Sequence, residues 1–161
     1  MGRKIKRALI SLSDKSNLIE VLKELKKNKI NLISSGGTYK EIKKLGYECK
    51  EVSEYTKFKE MLDGRVKTLH PKIHSGILFN RSKKIHRKQM KNMEFEPIDL
   101  IIVNFYPFEK VIKKKTNMKK VIENIDIGGP SLVRGAAKNF NDVTIITDKQ
   151  DYSELIKELK K

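Results

Sequence analysis

Residues 99–107 read DLIIVNFYP. A strand with one wet face alternates apolar and polar side chains, whereas a strand covered on both faces is apolar without interruption. The unbroken aliphatic run at 100–103 therefore predicts a central strand of a parallel sheet with cover on both sides. Working outward, RALISL (7–12), INLI (30–33) and VTIIT (143–147) are further strand-like runs, and YECKEV (47–52) is a weaker one. Helical patterns lie between them. Leu18, Val21, Leu22 and Leu25 repeat at i, i+3, i+4 and i+7, marking an amphipathic helix that opens near Ser13 to Lys15. Thr38 and Glu41 form a T-x-x-E capping box, predicted to open a second helix that stops at Gly46. Helices are also expected at 82–93, 117–124, 129–140 and 151–161, while 61–76 shows neither period and reads as loop. Such alternation predicts one α/β domain over residues 1–161, with a mostly parallel central sheet flanked by helices.

The charge balance is 36 Lys+Arg against 20 Asp+Glu, a formal +16 over 161 residues. Such a surplus raises a nucleic-acid partner at once. Only six of the basic residues are Arg, however, and the lysines are scattered through KELKKNK, KKKTNMKK and KELKK on solvated helix faces. Aromatic residues make up 7% and do not interleave with a basic stripe, as a single-strand binder requires. The surplus is thus read as a lysine-rich surface that favours small anions, with no nucleic-acid partner. A lone Cys49 forms no internal disulfide, which fits a reducing, cytoplasmic compartment. No apolar run approaches a membrane span, and the N-terminus lacks a signal peptide's apolar region.

In parallel α/β sheets ligands bind beyond the carboxyl ends of strands, near helix N-termini. The residues immediately after each strand are therefore informative: SLSDK (11–15), SSGGT (34–38) and NFYPF (104–108). In SSGGT, Gly36 and Gly37 let successive N–H groups face an anion, and Ser35 and Thr38 add hydroxyls. The same residues would equally serve a strand–helix turn; Lys15, after the neighbouring strand, tips the reading toward phosphate. GRVKTLHPKIH (64–74) places Arg65 and Lys67 in alternation, either toward one anionic ligand or simply as an exposed basic loop. Its two histidines, His70 and His74, flank Pro71 with no carboxylate or Cys at ligand spacing, so no metal is expected. NIDIGGPSLVRGAAKNF (124–140) announces a helix start at Gly128–Gly129–Pro130 with Asp126 just ahead of it, a simple capping arrangement or a reactive carboxylate. Arg134 and Lys138 are four apart, on one helical face.

Taken together, SLSDKSNL, SSGGTYKEI, MLDGRVKTLHPKIHSGIL, DLIIVNFYPF and ENIDIGGPSLVRGAAKN resemble the IMP cyclohydrolase domain of the bifunctional purine biosynthesis protein, from about residue 7 to the end. The family's AICAR formyltransferase domain has no counterpart in this chain. The resemblance implies a methylglyoxal-synthase-like fold and ring closure of 5-formamidoimidazole-4-carboxamide ribotide (FAICAR) to IMP, with no cofactor. It implies a purine ribonucleotide as the small-molecule partner and allows a homodimer. Ser13, Asp14, Lys15, Ser35, Gly36, Gly37 and Thr38 would hold the 5′-phosphate and ribose side. Arg65, Val66, Thr68, Val103, Asn104, Ile127 and Gly128 would line the base, and Lys67, Tyr106, Asp126 and Lys138 would carry the chemistry. The same fold serves methylglyoxal synthase and non-catalytic, purine-nucleotide-binding regulatory domains, so fold alone leaves activity open. Asp126 and Lys138, in their IDIGGP and AAKN settings, match the cyclohydrolase.

Overall fold

Five strands, Arg7–Ser11 (β1), Asn31–Ser34 (β2), Lys50–Glu51 (β3), Leu100–Val103 (β4) and Thr144–Ile146 (β5), form one sheet in the order β3-β2-β1-β4-β5. Every pairing is parallel. The computed structural model describes residues 4–106, 108–113 and 117–161. Pro107, which closes the predicted 99–107 strand, and residues 114–116 of the KKKTNMKK run lie outside the described residues.

The uninterrupted apolar runs have the predicted cause. Ala8, Ile10, Leu100 and Ile102 face one layer, while Leu9, Ile101 and Val103 face the other. The first layer is made by Leu18–Lys27 (α1), Gly36–Lys44 (α2) and Tyr152–Leu159 (α9), through Leu18, Val21, Leu22, Leu25, Ile42 and Leu155. The second is made by Val52–Thr56 (α3), Pro71–Leu78 (α4) and Gly128–Lys138 (α8), through Val52, Ile73, Ile77, Leu132 and Ala136. Lys84–Asn92 (α5), Phe108–Lys113 (α6) and Met118–Glu123 (α7) complete the helices. No helix among the described residues is long and apolar enough to cross a membrane.

Four expectations need correction. α1 starts at Leu18 rather than near Ser13, because Asn17 is left-handed (φ 60°) and the amides of Ser13 and Asp14 are engaged elsewhere. α2 starts at Gly36, and Thr38 does not cap it; its Oγ1 accepts from Leu12 N (2.9 Å) and donates to Leu12 O (3.0 Å). That exchange supplies partners for backbone groups where the chain leaves β1, a demand stronger than a helix end open to solvent. The supposed loop 61–76 contains α4, with Pro71 in its first turn and His70 Nδ1 accepting from Lys72 N at 3.1 Å. Only two apolar residues, Ile73 and Ile77, turn inward along that helix, too few for a visible period. The weak strand at 47–52 shrinks to two residues.

Candidate active site

β1 lies between β2 and β4, so the chain winds outward in both directions from this pair, which is where open parallel sheets place their ligand crevice. The register sets Ile10 beside Ser34 and Ser11 beside Val103, so the loops after β1, β2 and β4 leave one edge together. Asn104 ties two of them: its Oδ1 accepts from Ser13 N (2.7 Å) and Asp14 N (3.1 Å), and its Nδ2 donates to Asp14 O (2.7 Å).

Gly36 and Gly37 form the first turn of α2, Gly36 in the left-handed region at φ +54°. Two ammonium groups converge on this pair. A Cβ on Gly36 would lie 3.4 Å from Lys67 Nζ, and one on Gly37 would lie 3.8 Å from Lys15 Nζ. Lys15 Nζ also donates to Ser13 O at 3.2 Å. The result is two cations at a helix start whose backbone N–H groups lack helical partners, a ready anion site. Ser35 precedes it in extended conformation.

Lys67 is held by Glu60 Oε1 at 3.0 Å, on a segment with three successive left-handed residues, Leu62, Asp63 and Gly64. A shallow cleft opens here, lined among others by Ser35, Val52, Phe58, Val66 and Lys67. Arg65 points elsewhere, its Nη2 paired with Glu123 Oε1 of α7. Thr68, the next residue along from Lys67, reaches α8: its Oγ1 would stand 2.7 Å from a Cβ on Gly128. His74 is half-buried; desolvation pushes its imidazole pKa down, opposed by a hydrogen bond with the Thr68 backbone.

Asp126 Oδ1 accepts from Gly129 N at 2.9 Å, and a Cβ at Gly129 would meet Asp126 Oδ2 at 2.6 Å and the Phe105 ring at 3.0 Å. The carboxylate thus caps α8 beside Ile127 and Gly128, with Thr68 alongside. Val103 is buried at the end of β4, and Tyr106, 58% exposed, stands at the rim. Lys138 does not join this group. It is the last residue of α8, about 15 Å along the axis from Gly128 by helical rise, farther than a lysine side chain bridges. Asp14 turns its carboxylate to Ser16 and Lys149, whose hydrogen bonds, Ser16's first, hold its pKa well below the ordinary carboxylate range. Glu60, Glu123 and Lys149 carried no motif in the sequence, since each matters only through a partner that folding brings near.

An all-parallel sheet covered by helices on both faces, with a glycine turn and two lysine ammonium groups together at its strand ends, defines an open-sheet α/β domain. A profile of the MGS-like domain family matches residues 17–131, and the chain belongs to that family. It is 48% identical over 157 residues to the bifunctional purine biosynthesis protein PurH of Acetivibrio thermocellus, covering 97% of this chain and 30% of that protein. It is 50% identical over 160 residues to PurH of Persephonella marina, covering 99% and 30%. The chain therefore spans about 30% of the length of these curated relatives. Among solved structures, the crystal structure of ForH superposes with a TM-score of 0.80 at 28% identity, over 97% of this chain and 80% of that one.

Proposed function

We propose that this chain is an IMP cyclohydrolase that closes the ring of FAICAR to give IMP and water, the last step of de novo purine biosynthesis. The observation that carries the reading is the similarity to PurH along almost the entire chain. The groups along the strand-end edge fit a ribotide, cationic at Lys15 and Lys67 beside the glycine turn and anionic at Asp126 at the start of α8.

In the reaction the carboxamide nitrogen attacks the formyl carbon, forming the new C–N bond. The formyl oxygen gains negative charge, takes up one proton in exchange for the one lost by the carboxamide nitrogen and a second for the one lost by the formamido nitrogen, and leaves as water as the C=N bond forms. The nucleophile is poor because its lone pair is delocalised into the carbonyl. A carboxylate that accepts the amide proton and donors around the oxyanion therefore contribute most. Asp126 takes the first role, and the opening amides of α8 with the Thr68 hydroxyl take the second. Lys67, adjacent to Thr68 in sequence and to Gly36 in space, is the cation between the two ends. Both reacting groups belong to one substrate, so holding it folded supplies much of the rate.

Adding FAICAR to the purified chain and following IMP absorbance tests the reading. Turnover is expected; binding of IMP without turnover would make this a regulatory nucleotide-binding domain instead.

A further inference from the structure

Ser13, Asp14 and Lys15 look alike from the sequence, three polar residues after a strand, but their side chains and backbones do different things. Asp14 Oδ1 accepts from Ser16 N (2.9 Å) and Ser16 Oγ (2.5 Å), and Oδ2 accepts from Lys149 Nζ at 2.9 Å. The Ser13 and Asp14 amides, which would otherwise be free to meet an incoming anion, are both taken by the Asn104 side chain. Lys15 is left as the group that reaches the glycine turn. A phosphate would also be repelled by the Asp14 carboxylate.

We propose that Asp14, Asn104 and Lys149 form a latch that fixes the loop carrying Lys15, and that Lys149 is a positioning residue for gripping the nucleotide's anionic end. This rests on the function proposed above. Three segments distant in sequence meet in the latch. Asn104 leaves the end of β4, Lys149 lies in the turn Lys149–Asp151 before α9, and the loop itself spans residues 13–17 with left-handed Asn17 inside it. Lys149 lies outside the 17–131 stretch that defines the family, and both partners in its ion pair are half-exposed. Its effect is therefore modest and screened by salt, whereas Asn104, with three hydrogen bonds, is the stronger anchor.

The alternative is that Lys149 attracts the anion directly as one more positive charge, and a double-mutant cycle separates the two. Lys149→Ala is expected to raise the Kd for IMP about three- to fivefold, the range of an exposed ion pair, with kcat for FAICAR unchanged at saturation. In the Asp14→Asn background, which keeps an acceptor for Ser16, the same change is expected to do nothing. Asn104→Ala should raise Kd about tenfold or more and speed hydrogen exchange of the Ser13 and Asp14 amides. An equal loss from Lys149→Ala in both backgrounds, or no loss in either, overturns the latch. So does unchanged exchange in Asn104→Ala, a readout that needs no ligand. Wild-type protein that binds inorganic phosphate but not IMP would defeat the proposed function while leaving the cycle measurable with phosphate. If Asn104→Ala does not fold, the Lys149 cycle decides alone.

Discussion

Asp126→Asn separates charge from architecture. Asparagine still accepts from Gly129 N, so the start of α8 should survive, yet it no longer accepts a proton. The expected outcome is a Tm within a degree or two of wild type and a kcat for FAICAR lower by about 10²- to 10⁴-fold, the usual worth of a positioned acid or base. A kcat near wild type would remove Asp126 from the chemistry. Lys15→Ala should behave differently, because a phosphate grip holds ground and transition states alike. KM is expected to rise about 10- to 100-fold, the loss of one charge-assisted hydrogen bond, with kcat largely kept. A fall in kcat at constant KM would place Lys15 at the reacting end. Residue types were the legible part of this scale: the glycines and lysines that folding brings to one edge, and the aspartate ahead of α8, all stand out in the sequence. The partners that hold them were not legible, since Glu60 and Lys149 have no local pattern to betray them.

At the level of elements, α4 is the piece the sequence concealed and the site depends on most. It comes directly after the Arg65–Thr68 stretch, and it packs against α8 where a Cβ on Gly135 would meet Ile77 Cγ2 at 3.3 Å. On its other side a Cβ on Gly76 would lie 2.8 Å from the Glu96 carbonyl oxygen and 3.2 Å from Ile98. Gly76→Ala gains helix propensity of about 1 kcal/mol but forces backbone apart, an overpacking cost of about 1–3 kcal/mol. Thermal melting should therefore show a Tm lower by a few degrees, about 2–4 °C for each kcal/mol at this chain length. A raised Tm would mean that Glu96 yields freely. The central strand β4 was legible because burial on both faces leaves no polar residue to interrupt it. α8 was legible from Gly128, Gly129 and Pro130. α4 was not, because proline, two histidines and a glycine hide Ile73 and Ile77. The capping box at Thr38 misled because a hydroxyl inside the fold found stronger partners at Leu12.

Over the whole molecule, burial raises the pKa of the Cys49 thiol and of the Tyr55 and Tyr152 phenols. Desolvation pushes the Cys49 thiol from 9.0 up to about 12, eased by Lys43 and reinforced by Glu51. Desolvation, then Asp14 and Asp148, push the Tyr152 phenol from 10.0 up to about 12. The unfolded chain releases these protons at lower pH than the folded one. The stability they contribute is thus full below about pH 9 and is lost as pH rises toward 12. Melting curves should show Tm falling across that interval, with Cys49 alkylated slowly at pH 8; a Tm that rises there would contradict the burial. Net charge, +16, adds long-range attraction for anions but no address, which the sheet's carboxyl edge supplies. A crystal structure with IMP bound tests that address most directly. The phosphate is expected within hydrogen-bond distance of Lys15 Nζ and the Gly36–Gly37 amides, with the purine beside Thr68 and Asp126. A nucleotide bound away from the glycine turn, or turned end for end within the cleft, would contradict the account.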